Sequence, residues 1–113
     1  MAIYSNLSVD QGSTFSAEID VTDSSGDPLD LAGYTVAGQL RKTYSSTTST
    51  SFTSSVFSAS GGVVKIELNA TTTNALKAGR YVYDVEITKT STSEITRIVE
   101  GQLEVRPGVT RAS

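Results

Sequence analysis

Between Phe15 and Val21 the chain alternates without a break: Phe15, Ala17, Ile19 and Val21 are apolar, while Thr14, Ser16, Glu18 and Asp20 are polar. Alternate side chains of an extended chain point to opposite faces, so this pattern builds a strand with one dry and one wet face. The signature recurs. Ile3, Ser5, Leu7 and Val9 share one face of a first extended segment, and Val36, Gly38 and Leu40 alternate with Ala37, Gln39 and Arg41. Val64, Ile66 and Leu68 alternate with Val63, Lys65 and Glu67, and Tyr81, Tyr83, Val85 and Ile87 with Val82, Asp84, Glu86 and Thr88. A last segment carries Ile95, Arg97 and Val99 on one face and Ile98 on the other, and Gly101 marks a bulge that realigns it before Leu103 and Val105.

Turn chemistry separates these segments. Asp10-Gln11-Gly12, the run from Asp23 to Pro28, Gly61-Gly62, the run from Thr90 to Ser93, and Pro107-Gly108 each supply residues that favour turns or end strand pairing. Leu29, Leu31 and Tyr34 are placed to plug one end of a core. From Tyr44 to Gly62 the chain is almost pure Ser and Thr around Phe52, Val56 and Phe57, a pattern open to a flexible loop or a Thr-rich edge hairpin, of which the good strand propensity of Thr favours the hairpin. Thr72, Ala75 and Leu76, preceded by Thr caps and followed by Gly79, predict one short helical turn over residues 71–77. Ser and Thr supply 33 of the 113 residues and good helix formers are sparse elsewhere, so strands and turns account for the remainder. Turn signals spaced by roughly 8–12 residues predict one all-β domain over 1–113, an antiparallel immunoglobulin-like sandwich of about seven to eight strands. Within Ala78-Gly79-Arg80-Tyr81-Val82-Tyr83, Tyr81 sits where a tyrosine corner bonds back to the preceding connection, and Tyr83 where antibody domains place a core cysteine. Two ordinary half-buried strand tyrosines fit the same pattern, and either way Gly79, Tyr81, Tyr83 and Gly101 are structural.

The chain contains no His and no Cys. It therefore lacks the usual ligands of zinc, iron–sulfur and haem sites, and the partners for Ser-His-Asp or Cys-His nucleophiles. Asp20, Asp23, Asp27 and Asp30 are oxygen donors of the type calcium takes, but their spacing matches no EF-hand loop, and Asp is a favoured turn former. Asp84 and Glu86 share a strand face, which without a cleft reads as a wet sheet surface. Asn6-Leu7-Ser8 and Asn69-Ala70-Thr71 match the glycosylation pattern, an expected accident in a Ser/Thr-rich chain. The net charge of −3 and pI near 4.8 argue against a nucleic-acid backbone as partner. No run of about 18 apolar residues is long enough for a membrane span, and the first residues lack the pattern of a secretion signal. Arg80, Arg97, Arg106 and Arg111 lie among acids as cross-strand or intersubunit pairing groups. No metal, cofactor or catalytic set is expected, and the chain reads as non-enzymatic.

Several stretches carry a resemblance. Asp10–Phe15, the run from Val21 through Asp27-Pro28-Leu29-Asp30-Leu31-Ala32-Gly33-Tyr34 to Val36, and Gln39–Lys42 resemble small immunoglobulin-like proteins of tailed bacteriophages. In the second half, Ala75–Ile87, Thr96–Val105 and Pro107–Arg111 are similar to the same group. The first half is also similar to the N-terminal domain of phage baseplate upper proteins. The resemblance implies a virion protein made in the host cytoplasm, structural in role, decorating a capsid or joining tail or baseplate parts, with other virion proteins or further copies of itself as partners. No catalytic residue comes with it.

Edge strands and termini are the expected joints of such a module. Residues 1–8, with Ile3, Tyr4 and Leu7, and residues 106–113, with Arg106, Val109 and Arg111, are candidate interaction arms. The alternative is a module that binds carbohydrate on a host surface, with Tyr44, Phe52 and Phe57 as stacking platforms among hydroxyls.

Overall fold

The computed structural model describes residues 3–23 and 25–107. The alternating segments become β1 (Ile3–Tyr4), β2 (Leu7–Asp10), β3 (Phe15–Asp20), β4 (Tyr34–Arg41), β5 (Thr50–Ser51), β6 (Thr53–Ser58), β7 (Val63–Leu68), β8 (Gly79–Lys89) and β9 (Glu94–Arg106). One helix, α1 (Ala70–Ala75), links β7 to β8. The larger sheet runs β1-β9-β8-β4-β5, with β2 also on β9, and the smaller runs β3-β7-β6. β1 and β2 lie parallel to β9 in one continuous register, Ile3 opposite Val99 and Leu7 opposite Leu103, and the other pairings are antiparallel. The result is an immunoglobulin-like β-sandwich.

Inward residues of both sheets make the core. Val64, Ile66 and Leu68 from β7 meet Leu40, Tyr83, Val85, Ile87, Leu103 and Val105 from β4, β8 and β9, all buried. Leu31 closes one end, with Leu29 and Tyr34 packed against it, as the sequence leads one to expect. The adjoining turn is held by the Asp23 carboxylate, which accepts from the amides of Ser25 and Asp27. Gly62 (φ 68°) passes so close to this turn that a Cβ would stand 2.6 Å from the Val21 carbonyl oxygen.

Three expectations require correction. The Ser/Thr segment is not a hairpin. β5 pairs with β4 and β6 with β7, so the chain changes sheets at Phe52, whose amide bonds to the Gly38 carbonyl at 2.9 Å. The crossing is stabilised because the Phe52 ring enters the core, edge-on to Tyr83 at 6.1 Å and tilted against Phe15 at 6.3 Å. Gly38 leaves the room: a Cβ there would lie 3.0 Å from the ring. The bulge of β9 is not at Gly101, which pairs with Tyr83 in an unbroken ladder. The register shifts between Val85, opposite Val99, and Glu86, opposite Arg97. Ile98 is the extra residue, so Ile98 and Val99 are both buried and Val99 leaves the face of Ile95 and Arg97. Finally, α1 is capped by Asn69 and not by a Thr: its Oδ1 accepts from the Thr72 amide at 2.8 Å. Leu76 closes the helix, and Gly79 already belongs to β8.

Candidate functional site

Surfaces suited to assembly follow from which strands are left unpaired. β3 matches β7 over all six residues, Phe15 opposite Leu68 through Asp20 opposite Val63, with no bulge. Its other side has no partner strand among the described residues. Folded proteins blunt such edges with charged side chains, Pro, bulges or very short strands; β3 carries Glu18 and Asp20 but no Pro, Lys or bulge. The edges formed by β5 and β6 are blunted. β5 has two residues, and β6 is broken between Val56 and Ser58, where Phe57 turns outward with the Lys65 ammonium 5.5 Å from its ring centre.

The other border of the larger sheet is the N-terminal segment. From residue 3 it is a strand of the sheet and not a free arm. Ser5 donates its amide to the Glu100 carbonyl at 2.8 Å, and the Asn6 Oδ1 accepts from the Gln102 amide at 3.2 Å. Tyr83 reaches across Gly101 and donates its hydroxyl to the Ser5 carbonyl at 2.6 Å. This close approach requires glycine at 101, because a Cβ there would fall on the Ser5 carbonyl group. Burial holds the Tyr83 hydroxyl pKa above its ordinary 10.0.

On the outer face of the larger sheet, Tyr4, Glu100, Asp84 and Gln39 form one row in register across four strands. Arg97, aimed outward, pairs with Asp84 at 3.2 Å and Glu100 at 3.6 Å. Gln39, Asp84, Arg97 and Glu100 share a shallow depression of about 310 Å³ with Arg41, Tyr44 and Glu86. Its chemistry is that of a wet, charge-paired surface, and the Asp84 carboxylate is occupied by Arg97. Among the described residues, no three His, Cys, Asp or Glu side chains stand close enough to hold a metal ion.

The residues singled out from sequence therefore separate. Tyr4 (62 % exposed), Phe57 (57 %) and Arg106 are on the surface. Ile3 pairs with Val99 in β1. Leu7 is half-buried against the core, and Phe52 is buried at 6 %, so neither is a surface contact and Phe52 is no stacking platform. Val109 and Arg111 lie outside the described residues. Tyr81 donates to the Lys77 carbonyl at 2.9 Å, which is the bond of a tyrosine corner. Sequence reasoning missed Ser5 as the acceptor of Tyr83; the only available signal was a glycine aligned with a buried tyrosine on a neighbouring strand.

No protein-family model matches the chain, and no curated protein matches it. Among solved structures it is similar to InlP of Listeria monocytogenes, with 14% identity and a TM-score of 0.50 over 93% of this chain and 28% of that one. It is also similar to a family 123 glycoside hydrolase from Clostridium perfringens, with 14% identity and a TM-score of 0.43 over 96% of this chain and 24% of that one. The chain spans little more than a quarter of the first structure's length, and that likeness is one of fold.

Proposed function

We propose that the chain is a non-enzymatic structural module of a bacteriophage virion, joined to other tail, baseplate or capsid proteins, or to further copies of itself, through its strand edges. The stretches similar to phage immunoglobulin-like proteins supply the setting. The observation that carries the assembly role is the bare, unbulged edge of β3, which offers six residues of backbone to an added strand. The test is quantitative mass spectrometry of purified particles of a phage that encodes the chain, scaled against the major capsid protein. A fixed copy number per particle is expected: a ratio near one for a capsid role, a few copies for tail or baseplate. Absence from the particle would overturn the reading. Deletion of residues 107–113, which follow the end of β9 at Arg106, is expected to leave the sandwich folded and to lower incorporation.

A further inference from the structure

The end of the sandwich where β4 finishes and β8 begins carries a hollow of about 450 Å³, bounded by Arg41, Lys42, Lys77, Tyr81 and residues 48–50. All charged residues lining it are cations, on a chain whose net charge is −3. Among the described residues, neither Lys42 nor Lys77 forms an ion pair with a carboxylate. Their charge is therefore not neutralised within the fold.

The hollow is also held in shape. The Lys42 ammonium stands 5.0 Å from the centre of the Tyr81 ring. It lies against Gly79, where a Cβ would come within 2.8 Å of it, and the φ of 140° there is one that glycine adopts readily. Tyr81 is in turn fixed by its hydroxyl bond to the Lys77 carbonyl. The Arg41 guanidinium is tied to the Ser46 carbonyl at 2.8 Å and the Gln39 side-chain oxygen at 3.1 Å. The remaining polar lining comes from Thr48, Ser49 and Thr50, each of which carries a hydroxyl.

The Lys42 ammonium, in a lining that also includes Lys77 and Arg41, favours an anionic group such as a carboxylate, and the Thr and Ser residues of the same lining can pair with a ligand that is itself rich in hydroxyls. We propose that this hollow binds an acidic saccharide, with the sugar carboxylate at Lys42 and Lys77 and the ring hydroxyls against residues 48–50. The site is independent of the virion reading, since purified protein alone is enough to test it. The experiment is an NMR titration of the isotope-labelled chain with a galacturonic acid trimer, a neutral galactose trimer and inorganic phosphate. The acidic trimer is expected to shift the amides of Lys42, residues 48–50 and residues 77–81, while the neutral trimer shifts none of them. Lys42→Gln is expected to weaken binding about tenfold, the scale of one charge-assisted hydrogen bond, and Lys77→Gln to weaken it as well. Unshifted amides with the acidic trimer, undiminished binding in both variants, or phosphate binding as tightly as the trimer would each overturn the assignment.

Discussion

Gly101→Ala tests how the N-terminal segment is held. The added Cβ would clash with the Ser5 carbonyl oxygen, with the carbonyl carbon at 2.8 Å and the amide nitrogen at 3.3 Å. These are backbone atoms, so no side-chain rotation relieves the overlap and the Ser5 peptide must leave β9. Two hydrogen bonds go with it, Ser5 amide to Glu100 and Tyr83 hydroxyl to Ser5. Each contributes about 1 kcal/mol net, and the stranded Tyr83 hydroxyl costs about 1–3 kcal/mol more where water cannot reach it. The expected loss is about 3–5 kcal/mol, a lowering of Tm by roughly 12–25 °C for a domain of this size. Tyr83→Phe alone is expected to cost only about 1 kcal/mol, because the half-buried Ser5 residue can turn its carbonyl to water.

The two changes should not add. Once the alanine has displaced Ser5, the tyrosine hydroxyl has no acceptor to lose, so its removal no longer costs a bond and instead relieves the stranded donor. A double-mutant cycle by urea denaturation should return a coupling of about 1 kcal/mol or more. Hydrogen exchange of the Ser5 amide should rise in Gly101→Ala while that of the Val85 amide in the core keeps its rank. A loss below about 0.5 kcal/mol, or full additivity, would refute the notch as the anchor of the strand.

Other expectations follow from the same geometry. Phe52→Ala should cost about 3–5 kcal/mol by urea midpoint, as for a buried ring, and a value below about 0.5 kcal/mol would return Phe52 to the surface. Tyr81→Phe removes the bond to Lys77 and should cost about 0.5–1.5 kcal/mol by thermal unfolding; no change would show that the tyrosine corner contributes nothing to stability. The raised pKa of Tyr83 means that the folded chain keeps this proton after the unfolded chain has lost it. Its contribution is therefore intact below the ordinary value of 10.0 and is lost as pH rises from there through the folded value. Unfolding free energies of the native chain should fall more steeply above that point than those of Tyr83→Phe, and parallel curves would refute the assignment.

Period-two alternation located β3, β4, β7 and β8 because each places one face against the core and the other in water, and nothing else competes for that pattern. It failed where a residue's neighbours belong to another strand. Phe52 looks like a surface aromatic in a polar run, yet the absence of a side chain at Gly38, fourteen positions earlier, opens the space that buries it. Ile98 and Val99 are adjacent apolar residues that strict alternation cannot place on one face, and only the shift against Val85 and Glu86 brings both inside. The bulge also sets Arg97 within reach of Asp84 and Glu100, so the outer-face ion cluster was unreadable until the register was known. The cations of the hollow come from the end of β4 and the residue after it and from the α1–β8 connection, and no local motif joins Lys42 to Lys77.

The same limit applies to the open edge. Leu7-Ser8-Val9-Asp10 has the alternation that either sheet could use, and a first strand laid on β3 would have covered the six residues now bare. The notch on β9 fits the segment to the larger sheet: glycine at 101 admits the Ser5 peptide, and Tyr83 donates its hydroxyl to the Ser5 carbonyl. Val9 is then buried beside Val105, its partner in register, which adds apolar burial to the hydrogen bonds. With the first strands placed on the larger sheet, β3 keeps one side without a partner strand among the described residues, and that is the edge on which the proposed assembly role rests.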